Sequence, residues 1–282
     1  MSKKKNTHGS TNNAAILVLV CFFLSGLTGL IYEILWTRMI VKIIGGAPFA
    51  VSIVLTVFMG GLGLGSYVAG RRVDRIENPA RLVRIYGFLE LIIGGYALLV
   101  PLLLTAFKPL YSVLYNGLYS KFMLYNILTF IGCSIILCVP VICMGATLPV
   151  LCRYYVTNLS SLGARAGRLY GLNTVGAAAG ALFCGFWLIG RLGVSGTLIF
   201  AVVINCIVGA AAIMAGSGAA VMRAAAGRES AADDTKEQGT ALRGLMAGAL
   251  VIFGVSGFCA MAYEVIWTRL LGLIVGPTTY SF

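Results

Sequence analysis

Residues 14–38 read AAILVLVCFFLSGLTGLIYEILWTR. No Asp, Glu, Lys or Arg occurs until Glu33, and the run then closes on an acid, a tryptophan and an arginine. A hydrocarbon core about 30 Å thick is crossed by about 20 apolar helical residues, so a run of this length takes lipid as its solvent. In lipid each backbone N–H and C=O must be satisfied within its own segment, which a helix achieves. The reading extends outward because the closing motif, Tyr-Glu-Ile-Leu-Trp-Thr-Arg at 32–38, returns as Tyr-Glu-Val-Ile-Trp-Thr-Arg at 263–269.

The rest of the chain agrees with a bilayer environment. Of 282 residues, 59% are hydrophobic and only 11% charged, against about 25% charged in soluble domains. The alternating pattern of a β-barrel is absent, so the expected class is an all-α polytopic membrane protein. Apolar runs mark spans at about 14–32, 48–70, 85–107, 125–151, 170–190, 196–215 and 244–262, and a further run begins near 270. The net charge of +12 follows from loop asymmetry and calls for no nucleic acid. With the N-terminus inside, 15 Lys and Arg fall in inner segments and 6 on the opposite side, which predicts an N-in topology.

The tail 1–13, MSKKKNTHGSTNN, has the basic flank of a signal peptide, but its apolar run is too long and no Ala-x-Ala site follows, so it reads as leading into an uncleaved first helix. The segment 216–243 is rich in Ala and Gly, mixed in charge and without an apolar stripe. It reads as a cytoplasmic linker between a six-helix repeat, 14–215, and the start of a second membrane repeat, 244–282. The eight cysteines show no Cys-x-x-Cys spacing and the one histidine, His8, lies in the tail, so no metal site is expected.

A shift of 231 residues aligns 25–45 with 256–276, and 9 of the 21 positions are identical. Both copies start on the same side, so the repeat is parallel, as in the two halves of major facilitator transporters. Gly70-Arg-Arg-Val-Asp74-Arg75 resembles the Gly-x-x-x-Asp-Arg core of that superfamily's loop motif, without its later Gly-Arg-Lys part.

A narrower resemblance rests on four stretches: SGLTGLIYEILWTRMI (25–40), FAVSIVLTVFMGGLGLGSYVAGRRVDR (49–75), MGATLPVL (144–151) and GRLYGLNTVGAAAGALFCGFWLI (167–189). Together they resemble the membrane part of the fused facilitator-like/spermidine synthase-like proteins of bacteria. The resemblance implies a multi-pass protein of the bacterial inner membrane. Its helices would anchor or supply a Rossmann-like aminopropyltransferase domain that binds decarboxylated S-adenosylmethionine and a polyamine. No strand–Gly-x-Gly-x-x-Gly–helix unit occurs in these 282 residues, so no cofactor and no aminopropyl transfer are expected of this chain alone. By the same resemblance Phe282 falls within the eighth helix, which implies a fragment, a truncated gene or half of a split system. The alternatives are half of a transporter for polyamines or other small cations, and a structural or assembly subunit. Partners implied are the bilayer and either a spermidine synthase-like domain or a second membrane half.

Acids inside spans are costly and mark pairing or function. Glu33, Glu90 and Glu264 are the three in or at the edge of spans, Glu90 about one turn into the third. On a helix Glu33 shares a face with Thr37, and Tyr32 with Trp36. Arg38, five residues from Glu33, points elsewhere. The expected ion pairs are Arg38 with Glu90, or Glu33 with Arg269. Two readings stand side by side. In one, Trp and Arg anchor the helix at an interface while Glu neutralises a neighbour. In the other, Glu33, Tyr32 and Trp36 converge with Glu264, Tyr263 and Trp267 on a cation site.

Glycine-rich stretches read as packing surfaces: Gly61-x-x-x-Gly65 within the second span, and Gly176-x-x-x-Gly180 with Asn173 at the start of the fifth. Asn205 in the sixth span offers the same choice between packing and ligand contact. The loop 108–124, with Tyr111, Tyr115 and Tyr119, reads as an amphipathic interfacial helix or an aromatic vestibule. Asn158-Leu-Ser160 matches a glycosylation sequon on the inner side, where it is discounted.

Overall fold

The computed structural model describes residues 5–45, 47–156, 162–217 and 241–275. The sequon at 158–160, linker residues 218–240 and the stretch 276–282 lie outside the described residues. The helices are α1 (Lys5–Ile44), α2 (Ala47–Val73), α3 (Pro79–Leu118), α4 (Phe122–Tyr155), α5 (Leu162–Phe183), a π-helical turn (Cys184–Leu188), α6 (Ile189–Ser217) and α7 (Ala241–Val275). No strand occurs among the described residues. Six stretches of them are long and apolar enough to cross a membrane, which makes the chain an all-α, multi-pass membrane protein.

Helix ends are set by local chemistry more than by the limits of apolarity. Helix α1 runs through the 32–38 motif and stops at Gly45, whose φ of 78° only glycine adopts freely, and whose N–H closes on the Val41 carbonyl at 2.8 Å. The motif therefore lies inside the helix. Asn78 caps α3 by accepting from the Ala80 N–H at 2.9 Å, with Pro79 at the first helical position. The expected loop 108–124 is not a separate interfacial helix: α3 continues to Leu118, and residues 119–121 alone make the turn into α4. Likewise residues 270–275, the start of the further apolar run, continue α7.

One apolar stretch, Leu162–Gly216, is 55 residues long, about 80 Å of helix and nearly three hydrocarbon thicknesses. It reverses direction within that length. Gly176 and Gly180 of α5 meet Phe23 and Leu27 of α1, so those helices run parallel. Gly216 and Gly209 of α6 meet Ala80 and Gly87 of α3, so those run antiparallel. Helices α1 and α3 are themselves parallel, since Phe22 meets Tyr86 near one end and Ile44 meets Tyr111 near the other. The break is at Gly193 (φ 68°, ψ −178°), four residues after the start of α6.

The bundle is thus built from three closely packed pairs, α1 with α5, α2 with α4 and α3 with α6. Two apolar clusters fill it. One joins Ile31, Leu35 and Trp36 to Ile93, Ala97 and Leu137. The other joins Val18 and Phe22 to Leu82, Tyr86 and Leu151. Glu90 of α3 and Asn205 of α6 lie at the level between them. Helix α7 lies against α2 and leaves most of its surface exposed.

Candidate functional site

The motif on α1 turns two faces to two different surroundings. Successive residues of a helix are about 100° apart, so Tyr32 and Glu33 point in different directions while Glu33 and Thr37 share one. Glu33 and Thr37 line a cleft of about 150 Å³ between α1, α2, α5 and α7, and Glu264 and Thr268 line it from the other side. These four residues are two repeat-equivalent pairs, offset by 231 positions. Glu33 is buried and Glu264 exposed, and the two carboxyls are near enough to repel one another.

Both threonines are locked the same way. Thr37 Oγ1 donates to the Glu33 carbonyl at 2.8 Å, and Thr268 Oγ1 donates to the Glu264 carbonyl at 2.7 Å. A hydroxyl has one proton, so each threonine has only acceptor capacity left for the cleft. With the carboxylates ionised, every side-chain polar atom lining the cleft is an acceptor. The remaining lining is apolar, from residues such as Leu30, Val51 and Leu55.

The aromatic members of the motif do not join this cleft. Tyr32 and Trp36 are fully buried, stacked on one another at 5.4 Å and 12°, with Trp36 against Phe58. Tyr263 and Trp267 are exposed on α7. The expected convergence of carboxylates and rings on one cation is therefore reduced to the carboxylates. The helical angle between adjacent residues is the reason.

Glu90 forms a second cluster. It is wholly buried and lies 11 residues beyond the start of α3, about three turns into it, deeper than the expected single turn. Asn205 Nδ2 of α6 donates to Glu90 Oε2 at 2.9 Å, and Asn205 Oδ1 accepts from the Tyr32 hydroxyl at 3.4 Å. Tyr86, one turn back on α3, and Ser25 of α1 border the same carboxyl. Tyr86 is a site residue the sequence reading passed over. Its signal was the four-residue spacing to Glu90, which puts both on one helix face.

Neither expected ion pair forms. Glu90 sits at the level of Ser25 on α1, thirteen residues and about 20 Å along the helix from Arg38. Arg38 is half-buried beside Cys184 of the π-helical turn. Glu33 faces Glu264, while Arg269, five residues and about 140° further round α7, is exposed and outside the cleft.

The remaining candidates serve helix contacts and turns. A β-carbon on Gly65 would strike the Ile142 carbonyl of α4, and one on Gly61 the Val141 side chain. Gly176 and Gly180 bring α5 onto the α1 backbone, and Asn173 Nδ2 donates to the Phe22 carbonyl at 3.0 Å. Gly70 lies in the last turn of α2, with Asp74 and Arg75 exposed in the turn that follows. No group of three or more His, Cys, Asp or Glu able to hold a metal occurs among the described residues. The eight cysteines are free thiols. No protein-family model matches the chain, and neither a curated protein nor a solved structure is similar to it.

Proposed function

We propose that the chain binds a small organic cation within the membrane, in the cleft between Glu33–Thr37 and Glu264–Thr268. The observation that carries this reading is the placement of repeat-equivalent acids and acceptor-only hydroxyls on one cleft. Two carboxylates in an apolar surround repel, and a ligand that donates hydrogen bonds and carries positive charge relieves that repulsion. A diamine or polyamine matches both the charge and the apolar walls. Such a ligand agrees with the resemblance to the membrane part of spermidine synthase-like fusion proteins, which supports a role in holding or moving polyamines for that chemistry. The N-in orientation and a bacterial inner membrane belong to the same proposal.

The test is equilibrium binding of radiolabelled putrescine and spermidine to the purified chain in nanodiscs. A charged partner contributes about 1.5–3 kcal/mol, so Glu33→Gln or Glu264→Gln alone should weaken binding about tenfold or more. The double variant should abolish it, and Thr37→Val should have a smaller effect. Undiminished binding by a folded double variant overturns the assignment. The alternative role, neutralising a neighbour, predicts lost folding with no ligand at all.

A further inference from the structure

The cluster around Glu90 is separate from the cleft, and its chemistry differs. Glu90 has no exposed surface, and its Oε1 is buried without a hydrogen-bond partner. Its other oxygen is held by a neutral amide, Asn205 Nδ2 at 2.9 Å. The groups facing it are Tyr86 from its own helix and Ser25, Cys21 and Tyr32 from α1, with Asn205 from α6 and Cys206 next to Tyr32. None of them carries positive charge. An ionised carboxylate in such a place has hydroxyl and amide neighbours but no counter-ion, and burying one is costly enough that the group takes up a proton instead.

A neutral acid suits the surroundings. The orphaned Oε1 and the orphaned Tyr86 hydroxyl belong to neighbouring side chains, so a carboxylic O–H has an acceptor at hand. The second N–H of Asn205 Nδ2 is directed at the Glu90 backbone carbonyl at 3.5 Å, so the amide gives the carboxyl one donor only. We propose that Glu90 is a proton-binding site in the membrane interior, occupied at neutral pH and linked to α1 through Asn205 and Tyr32. Tyr32 is the chain neighbour of Glu33, so gain or loss of this proton acts on the helix that carries one wall of the cleft. The protonation itself does not rest on the cation reading.

Infrared spectroscopy of the chain in nanodiscs tests the proposal without any ligand. At pH 7 the spectrum should hold a carbonyl band of a protonated carboxylic acid that shifts in deuterated water. Glu90→Gln should remove that band, and Glu90→Asp should keep an acid but displace its frequency. Glu33→Gln and Glu264→Gln should leave it in place. A wild-type spectrum with carboxylate bands alone overturns the proposal. So does a band unmoved in Glu90→Asp, which also settles the matter if Glu90→Gln fails to fold.

Discussion

Asn205 is the residue on which the interior polar layer turns. It is 1% exposed, and its amide spends its donor on Glu90 and its acceptor on Tyr32. Hydrogen bonds between membrane helices average about 0.6 kcal/mol and reach about 1.7. Asn205→Ala breaks the shorter bond and orphans a buried carboxyl oxygen, so it should cost about 1–2 kcal/mol. Tyr32→Phe removes only the 3.4 Å contact and should cost under about 0.5 kcal/mol, since so long a bond is weak. Reversible unfolding in mixed micelles measures both, and equal losses would show that the bond to Glu90 has no special weight. At this scale the sequence announced its polar residues but not their partners. Glu90 stood out because an acid in an apolar run is costly, and Asn205 because an amide there is too. Nothing local to either says that they meet, since 115 positions separate them.

Elements were more legible than residues, except at their ends. The apolar runs named the helices because lipid leaves the backbone no alternative. The limits of apolarity failed as helix limits because Gly45 and the Asn78–Pro79 cap decide where helices stop and start. Nothing in the apolar pattern marks Gly193, yet its positive φ is where the 55-residue apolar stretch turns back. The glycines of α2 give a paired prediction on a single helix. Gly65 lies against the Ile142 carbonyl, whereas a β-carbon on Gly63 would meet nothing within 4 Å. Gly65→Ala should push α2 from α4 and cost about 1–3 kcal/mol, the usual penalty of overpacking. Gly63→Ala should be neutral or slightly stabilising, since alanine is the better helix former. The same micelle unfolding assay distinguishes them, and equal effects would remove close packing as the reason for the glycine pattern.

At the scale of the whole molecule, the helix directions sort the charges. One end of the bundle gathers Arg71, Arg72 and Arg75 from the end of α2, Arg81 and Arg84 from the start of α3, Arg153 from the end of α4, and Arg165 and Arg168 from the start of α5. Arg71 stacks over Tyr67 at 4.4 Å, Arg84 Nε donates to the Gly216 carbonyl at 3.2 Å, and Arg165 donates to the Tyr155 carbonyl at 3.1 Å. These contacts tie several of the arginines to helix ends at that surface. The other end offers Lys42, Lys108, Lys121 and Arg191. The asymmetry counted along the sequence is therefore an asymmetry of the folded body, and the N-in orientation proposed above would put its basic end on the cytoplasmic side. In a background with the eight cysteines replaced, a cysteine at Asp74 in the turn after α2 should resist a membrane-impermeant maleimide in intact cells and react once they are permeabilised. A cysteine at Lys121, between α3 and α4, should react in intact cells. The opposite pattern would invert the protein, and with it the side from which a cation or a proton enters. Labelling of both sites in intact cells would mean that the 74–78 turn and the α3–α4 turn share one side, which a single crossing by α3 does not permit.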